Sequence, residues 1–360
     1  MIEKVYFGKM ENGQPVYRYV LTNGNGLAAS FLDLGATWYS MTAPDREGRM
    51  ADVLLGSASV DGCLRNGGHL GETVGRNANR IGGASFELNG KTVSLEANDG
   101  ANNLHSGTSY YGKRIWKAEI LEETGKQDGD PAGKADRIAF LLESPDGDQG
   151  FSGNASIRVT FALTGDNELQ IHYEAVCDQD TVMNLTNHAY FNLAGHQSGP
   201  VLGQQVFIDA DRITAADAAS IPTGELRPVQ GTPMDFTVMK PIGRDIDAAY
   251  DQLQFAGGYD HNWVLNHAPG QYALAAKARD EESGREMEVW TDLPGIQFYT
   301  GNYLDFKLPG KEGKLYTARE GYCFETQYFP DAVHHPQFPS PILKKGEKYD
   351  SRTSYRFAAR

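Results

Sequence analysis

A chain of 360 residues, 40% hydrophobic and 11% aromatic, is long enough to bury a large core in one or two domains. A net charge of −14 without a basic block argues against a nucleic-acid or anionic-membrane partner, and no apolar run approaches the ~18 residues of a membrane span. Three cysteines (Cys63, Cys177, Cys323) with no Cys-x-x-Cys pair argue against a disulfide framework or zinc ribbon, and together with an N-terminus lacking a signal-peptide pattern they suggest the cytoplasm.

The 41 glycines separate many short apolar runs, which is the punctuation of an all-β chain. Residues 16–22 read as a strand, Gly24-Asn25-Gly26 as a turn and residues 27–34 as the hairpin partner. Residues 50–56 read as a short buried strand. Residues 71–81 carry two arginines and two asparagines without a clean period, so they read as a loop anchored at Ile81. Asn89-Gly90, between residues 85–88 and 91–95, predicts a type I′ hairpin because both residues tolerate positive φ. Residues 98–107 form another polar loop, which contains His105. Residues 115–120 and 137–142 read as paired strands, with an exposed, charged connection over residues 122–136.

The clearest period of two follows. Ile157, Val159, Phe161 and Leu163 alternate with polar or small residues, and after a turn at Gly165-Asp166-Asn167 so do Leu169, Ile171, Tyr173 and Ala175. That pattern predicts an antiparallel hairpin with one buried face. Residues 212–256 look loop-like, since Pro222, Pro228, Pro233 and Pro241 oppose a long helix or a central strand; residues 245–250 suggest one or two helical turns. Residues 272–278, 286–290, 296–300 and 322–326 resume strand character. The tail, residues 349–357, reads as a strand closing a sheet edge. The whole of residues 1–360 is therefore expected to form one large antiparallel β-sandwich domain with functional loops.

One stretch, Asn184-Leu185-Thr186-Asn187-His188-Ala189-Tyr190-Phe191-Asn192-Leu193, is dense in hydrogen-bonding groups yet framed by apolar side chains. Buried polar groups need partners or a ligand, so it reads as a pocket wall that includes His188 and Tyr190. Asp260 beside His261, Asn262 and Trp263, Gln297 beside Phe298 and Tyr299, and Glu325 within an apolar strand share that character. Aromatics for the apolar side of a ring, with carboxylates, amides and Arg80 for its hydroxyls, are the palette of a sugar site. Taken singly, each residue has a plain structural reading: Glu325 in a salt bridge, Asp260 in a turn, Arg80 with a surface carboxylate. His69, His334 and His335 read as loop residues, and Cys323 as packing.

Six segments in order resemble the aldose 1-epimerase family, also called galactose mutarotases. They are Gly75-Arg76-Asn77-Ala78-Asn79-Arg80-Ile81, Asn102-Asn103-Leu104-His105, Thr186-Asn187-His188-Ala189-Tyr190-Phe191-Asn192-Leu193, Tyr259-Asp260-His261-Asn262, residues 294–302, and Phe324-Glu325-Thr326-Gln327. Ser106 departs from the pattern, where the family commonly has glycine. The resemblance implies a supersandwich of antiparallel sheets of the galactose mutarotase type. It also implies interconversion of the α and β anomers of free hexoses such as glucose and galactose, without cofactor or metal. By the same resemblance Glu325 corresponds to the general base and His188 to the general acid. Asn79, Arg80, His105, Asp260 and Gln297 correspond to substrate binders.

The chemistry stands on its own terms. Opening a hemiacetal requires a proton removed from the C1 hydroxyl and another delivered to the ring oxygen, which general acid–base catalysis accelerates by roughly 10²–10⁴-fold. Apolar neighbours should raise the pKa of Glu325, and a carboxylate such as Asp260 should hold His188 protonated. Arg80 offers permanent positive charge to a developing oxyanion. The partner is a small hexose, with the protein itself a monomer or weak homodimer. Competing readings are a hexose 6-phosphate epimerase using Arg65, Arg76 or Arg227, a non-catalytic sugar-binding module, and a glycosidase using Asp260 and Glu325.

Overall fold

The computed structural model describes residues 2–121 and 135–360. Nearly all regular structure is antiparallel strand. A five-stranded sheet takes Glu3–Lys9, Pro15–Thr22, Ala28–Leu32, Thr37–Pro44 and Met50–Asp52 in chain order. A nine-stranded sheet runs Lys117–Leu121, Ala135–Ser144, Ala155–Thr164, Glu168–Cys177, Lys348–Ala359, Arg285–Thr291, Ala273–Arg279, Gln205–Ile208, Lys240–Pro241. A six-stranded sheet runs Tyr190–Phe191, Tyr322–Gln327, Gly295–Tyr299, Asp260–Val264, Arg212–Ala216, Pro222–Pro228. Among the described residues, no helix is long and apolar enough to cross a membrane.

The expected antiparallel β-sandwich is thus what the chain adopts. The alternating hairpin of residues 157–175 pairs Ile157 with Ala175 and Phe161 with Ile171. The Asn89-Gly90 turn has φ of 53° and 72°, as a type I′ hairpin requires. Apolar faces of all three large sheets meet in a common core. Phe31 stacks on Phe161 with centroids 4.3 Å apart, Trp38 lies 5.0 Å from Tyr355, and Phe191 lies 5.3 Å from Tyr355.

Four expectations need correction. The tail does not close an edge: Lys348–Ala359 is the middle strand of the nine-stranded sheet, paired with Glu168–Cys177 on one side and Arg285–Thr291 on the other. Residues 212–256 are not simply loop. They contain Arg212–Ala216 and Pro222–Pro228, and the second is an edge strand, the place in a sheet where proline is tolerated. The short helix is Asp251–Ala256 rather than residues 245–250; it ends on Gly257 in the left-handed conformation. The loop of residues 71–81 includes two short strands, Thr73–Val74 and Arg80–Ile81. Of the expected connection at residues 122–136, residues 122–134 lie outside those described, and the last two belong to Ala135–Ser144.

The central strand also braces the six-stranded sheet. The Tyr355 hydroxyl donates to the Phe324 carbonyl at 3.0 Å, and Thr353 Oγ1 lies 2.5 Å from Thr326 Oγ1. Ser354 faces Gln170 in one neighbouring strand and Trp290 in the other. Proline there removes a ladder hydrogen bond from a strand paired on both sides. Ser354→Pro leaves a buried carbonyl unsatisfied and should destabilise the protein by roughly 1–3 kcal/mol, measured by urea unfolding; no measurable loss would contradict the central placement of this strand.

Candidate functional site

Strand register gathers the site. Glu325 faces Gln297 across one pair, Gln297 faces Asn262 across the next, Asp260 faces Tyr299, and Tyr190 faces Cys323. Side chains alternate across a strand. Tyr190, Cys323, Glu325, Gln297, Asp260 and Asn262 therefore stand on one face of the six-stranded sheet. Ile296, Phe298, Phe324 and Trp263 point the other way, into the core. The strand Tyr322–Gln327 is buried at every position, so what alternates along it is polarity rather than exposure.

His188 reaches this face from the segment after Thr186–Asn187, which pairs with Thr73–Val74. Its backbone is tied on both sides: N–H to the Glu72 carbonyl at 3.0 Å, and carbonyl from Gly71 N–H at 2.9 Å. The imidazole stacks on Tyr190 at 5.1 Å. Its Nε2 lies 3.6 Å from Glu325 Oε1, and its Nδ1 lies 3.4 Å from Cys323 Sγ. The Nε2–Oε1 separation is longer than a hydrogen bond. Glu325 Oε2 is buried without a hydrogen-bond partner.

Asn79 and His105 close the site from a second side, and each reads the other's backbone. Asn79 N–H donates to His105 Nδ1 at 3.1 Å, and His105 N–H donates to the Asn79 carbonyl at 3.1 Å. Both have left-handed backbones, with φ of 62° and 50°, and Ser106 follows at 70°. Ser106 supplies its own compensation: its Oγ accepts from Asn77 N–H at 2.9 Å and donates to the Asn77 carbonyl at 3.0 Å. A glycine would relieve the φ but could not make this clamp. Arg80 donates from Nε to Asp99 at 2.9 Å, and its terminal nitrogens have no hydrogen-bond partner among the described residues. Gln297 donates to Asp260 Oδ1 at 2.7 Å. All eight candidate residues, Asn79, Arg80, His105, His188, Tyr190, Asp260, Gln297 and Glu325, thus lie on the polar sheet face or on the three segments beside it, those of residues 79–80, 103–105 and 186–188.

Burial governs the electrostatics. Desolvation, then the Asp260 charge, push the Glu325 carboxyl well above its usual range, with Arg80 opposing them. Burial and then His69 lower His188 to about 3. The expectation that Asp260 holds His188 protonated is not met, because burial and a neighbouring imidazole dominate. His105 is likewise driven well below an ordinary histidine by burial, then by His69, His188 and Arg80. Burial thus favours a neutral carboxyl beside a neutral imidazole.

His105, His188 and Glu325 bring possible ligand atoms within 4.8 Å of one another, a spacing at which a divalent ion can be held. The donor chemistry opposes it. Asn79 N–H occupies the lone pair of His105 Nδ1, so in the neutral ring Nε2 carries the proton and is not a ligand. Two further residues escaped the sequence reading. His69, on a loop as expected, pairs with Glu72 at 3.1 Å and packs 4.9 Å from His105. Cys323 is more than packing, since its sulfur meets His188. A glutamate three residues after a histidine, across the Gly71 turn, is the one signal that was available for the first.

The sequence model of the family described as aldose 1-epimerase matches residues 17–356. The chain is 36% identical over 357 residues to galactose mutarotase of Homo sapiens, covering 99% of this chain and 98% of that protein. It is 37% identical over 360 residues to aldose 1-epimerase of Haemophilus influenzae, covering 99% and 100%. A solved GalM/aldose epimerase homologue from C. elegans superimposes with TM-score 0.81 at 30% identity, covering 94% of this chain and 98% of that one. Galactose 1-epimerase from Lactobacillus acidophilus shares the fold, with TM-score 0.83 at 24% identity and coverage of 100% and 99%.

A buried carboxyl with one unpartnered oxygen is costly to stability. Glu325→Gln leaves that position equally unpartnered but removes the cost of keeping the carboxyl protonated in the fold, so the variant should be the more stable protein at neutral pH. The sign follows from linkage: a raised folded-state pKa gives stability that is complete below the unfolded value and lost as pH rises toward the folded one. The advantage of the variant should thus grow from pH 5 to pH 8 in urea unfolding, and a flat or reversed difference would contradict the burial account.

Proposed function

The chain belongs to the aldose 1-epimerase family, and from that premise we propose that it interconverts the α and β anomers of free hexoses such as glucose and galactose, with Glu325 as base and His188 as acid. The enzyme is an isomerase of the aldose 1-epimerase type. The observation that carries the finer reading is the 3.6 Å between His188 Nε2 and Glu325 Oε1 on a buried polar face. Two groups so placed can each meet one of the two oxygens on a hemiacetal carbon.

The proton bookkeeping is closed. A neutral carboxyl beside neutral imidazole holds as many protons as a carboxylate beside imidazolium. Transfer from Glu325 to His188 makes the working ion pair. The carboxylate then removes the proton of O1 while the imidazolium gives its Nε2 proton to the ring oxygen. The C1–O5 bond breaks, its electron pair stays on O5, and C1 becomes an aldehyde. The pair is again neutral, the state that burial favours, so the dry site supports the open-chain intermediate. Rotation about C1–C2 and reversal of these steps close the other anomer. Arg80, with its terminal nitrogens unspent, lies in the field of Glu325 and Asp260 and is placed to stabilise developing charge on oxygen. Asn79, His105, Asp260, Gln297 and Tyr190 bind and orient the ring.

The phosphorylated-sugar alternative loses support from its own arginines. Arg76 is buried against Ser144, Ser152 and Thr181, Arg65 pairs with Asp61, and Arg227 pairs with Asp251 and Glu225. The same reading holds the protein to be cytoplasmic, a monomer or weak homodimer without nucleic-acid or membrane partners. A net charge of −14 and three free cysteines support it.

Polarimetry of freshly dissolved α-glucose and α-galactose tests the assignment. Wild type should speed the change in rotation, and Glu325→Ala and His188→Ala should each lower kcat by about 10²–10⁴-fold; a wild-type rate equal to the spontaneous one would remove the activity. The pH profile of kcat/KM reads the free pair. A second proton inactivates the pair by converting it to carboxyl plus imidazolium, so the acid limb should sit well below an ordinary histidine, toward the value of about 3 for His188. Loss of the shared proton sets the alkaline limb, above the usual carboxylate range. An acid limb near 6.5, the ordinary histidine value, would contradict it.

A further inference from the structure

The pocket holds a third imidazole. His69 sits on the turn whose next residues, Gly71 and Glu72, carry the backbone of His188. Its φ of 54° is left-handed, and its ring packs 4.4 Å from Tyr110, 4.9 Å from His105 and 5.9 Å from His188. Its Nδ1 lies 3.1 Å from Glu72 Oε2. The Glu72 carboxyl is buried in a slot that exists because residue 112 is glycine: a Cβ there would lie 2.0 Å from the same oxygen. Unlike His105, His69 remains 20% exposed, and its Nε2 has no hydrogen-bond partner among the described residues.

The two imidazoles are set in opposite senses. Backbone N–H of Asn79 points at His105 Nδ1, so the neutral His105 ring carries its proton on Nε2 and donates there. A carboxylate at His69 Nδ1 does the reverse. It accepts a hydrogen bond from Nδ1–H and so leaves Nε2 as an acceptor, the way a buried acid fixes the tautomer of a catalytic histidine. One donor and one acceptor on rings 4.9 Å apart match a hydroxyl, which both accepts and donates.

We infer that His69, oriented by Glu72, is a further sugar-binding residue that brackets one hydroxyl of the hexose together with His105. This rests on the anomer-interconverting reading of the site, and Glu72 is a positioning residue that acts through His69.

The test combines calorimetric affinity for glucose and a set of monodeoxyglucoses with polarimetric kinetics on the same proteins. His69→Phe keeps a ring against Tyr110 and His105 but removes the acceptor. It should weaken glucose binding and raise KM about three- to ten-fold, the worth of one hydrogen bond. For the one deoxy sugar that lacks the bracketed hydroxyl, wild type and His69→Phe should bind equally. Glu72→Leu should match the His69→Phe penalty, and Glu72→Gln, whose amide oxygen can still accept from Nδ1, should recover part of it. Unchanged glucose affinity in His69→Phe, or an equal penalty for every deoxy sugar, would overturn the inference. A wild type that binds hexoses without anomer exchange would instead sink the parent reading, and the affinity panel would still decide the role of His69.

Discussion

A carboxyl group buried on a sheet face, 3.6 Å from a buried imidazole, is the constraint on which the rest of the site depends. Neither group can hold charge cheaply there, since an isolated ion in a low-dielectric interior costs several kcal/mol. Together they can, because one proton moving between them changes no net charge. The fold must then keep the pair in place at sub-ångström tolerance. It does so by putting Glu325 in the middle of a paired strand and bracing that strand from behind with Tyr355 and Thr353 of the nine-stranded sheet. The precision of the site is a property of sheet register.

The loops that complete the pocket use a different device. Asn79, His105 and Ser106 are held at positive φ, a conformation that disfavours side chains and persists only where surrounding contacts over-determine it. Here the contacts are reciprocal hydrogen bonds between the two loops, closed by the Ser106 clamp on Asn77. Strain and compensation lie within one small region, so these candidate binding residues are presented by stiff backbone. Rigid presentation suits the proposed reaction, whose acid and base would address two oxygens of one carbon.

Much of this was legible beforehand, for identifiable reasons. Period-two alternation over residues 157–175 marks a strand buried on one face, and Asn89-Gly90 selects its own turn. Asp260, Gln297 and Glu325 were visible as polar side chains among apolar neighbours, whereas Asn79 and His105, in polar loops, entered through the family resemblance. What escaped is non-local. Sheet order cannot be read from position in the chain, so the C-terminal strand gave no sign of being central. Prolines at 222 and 228 read as loop because a single sequence does not say which strand lies at an edge. The direction of the His188 pKa shift is non-local in the same way. The titrating neighbour that lowers it alongside burial is His69, 119 positions away in number and brought near because Glu72 and Gly71 hydrogen-bond to the His188 backbone.

Two imagined arrangements separate cleanly under one measurement, a structure of the protein with a bound hexose. The account requires the anomeric oxygen within hydrogen-bond distance of a Glu325 carboxyl oxygen and the ring oxygen within the same distance of His188 Nε2. A sugar seated elsewhere, or one whose ring oxygen turns away from His188, would contradict the shared-proton pair as the engine of the reaction.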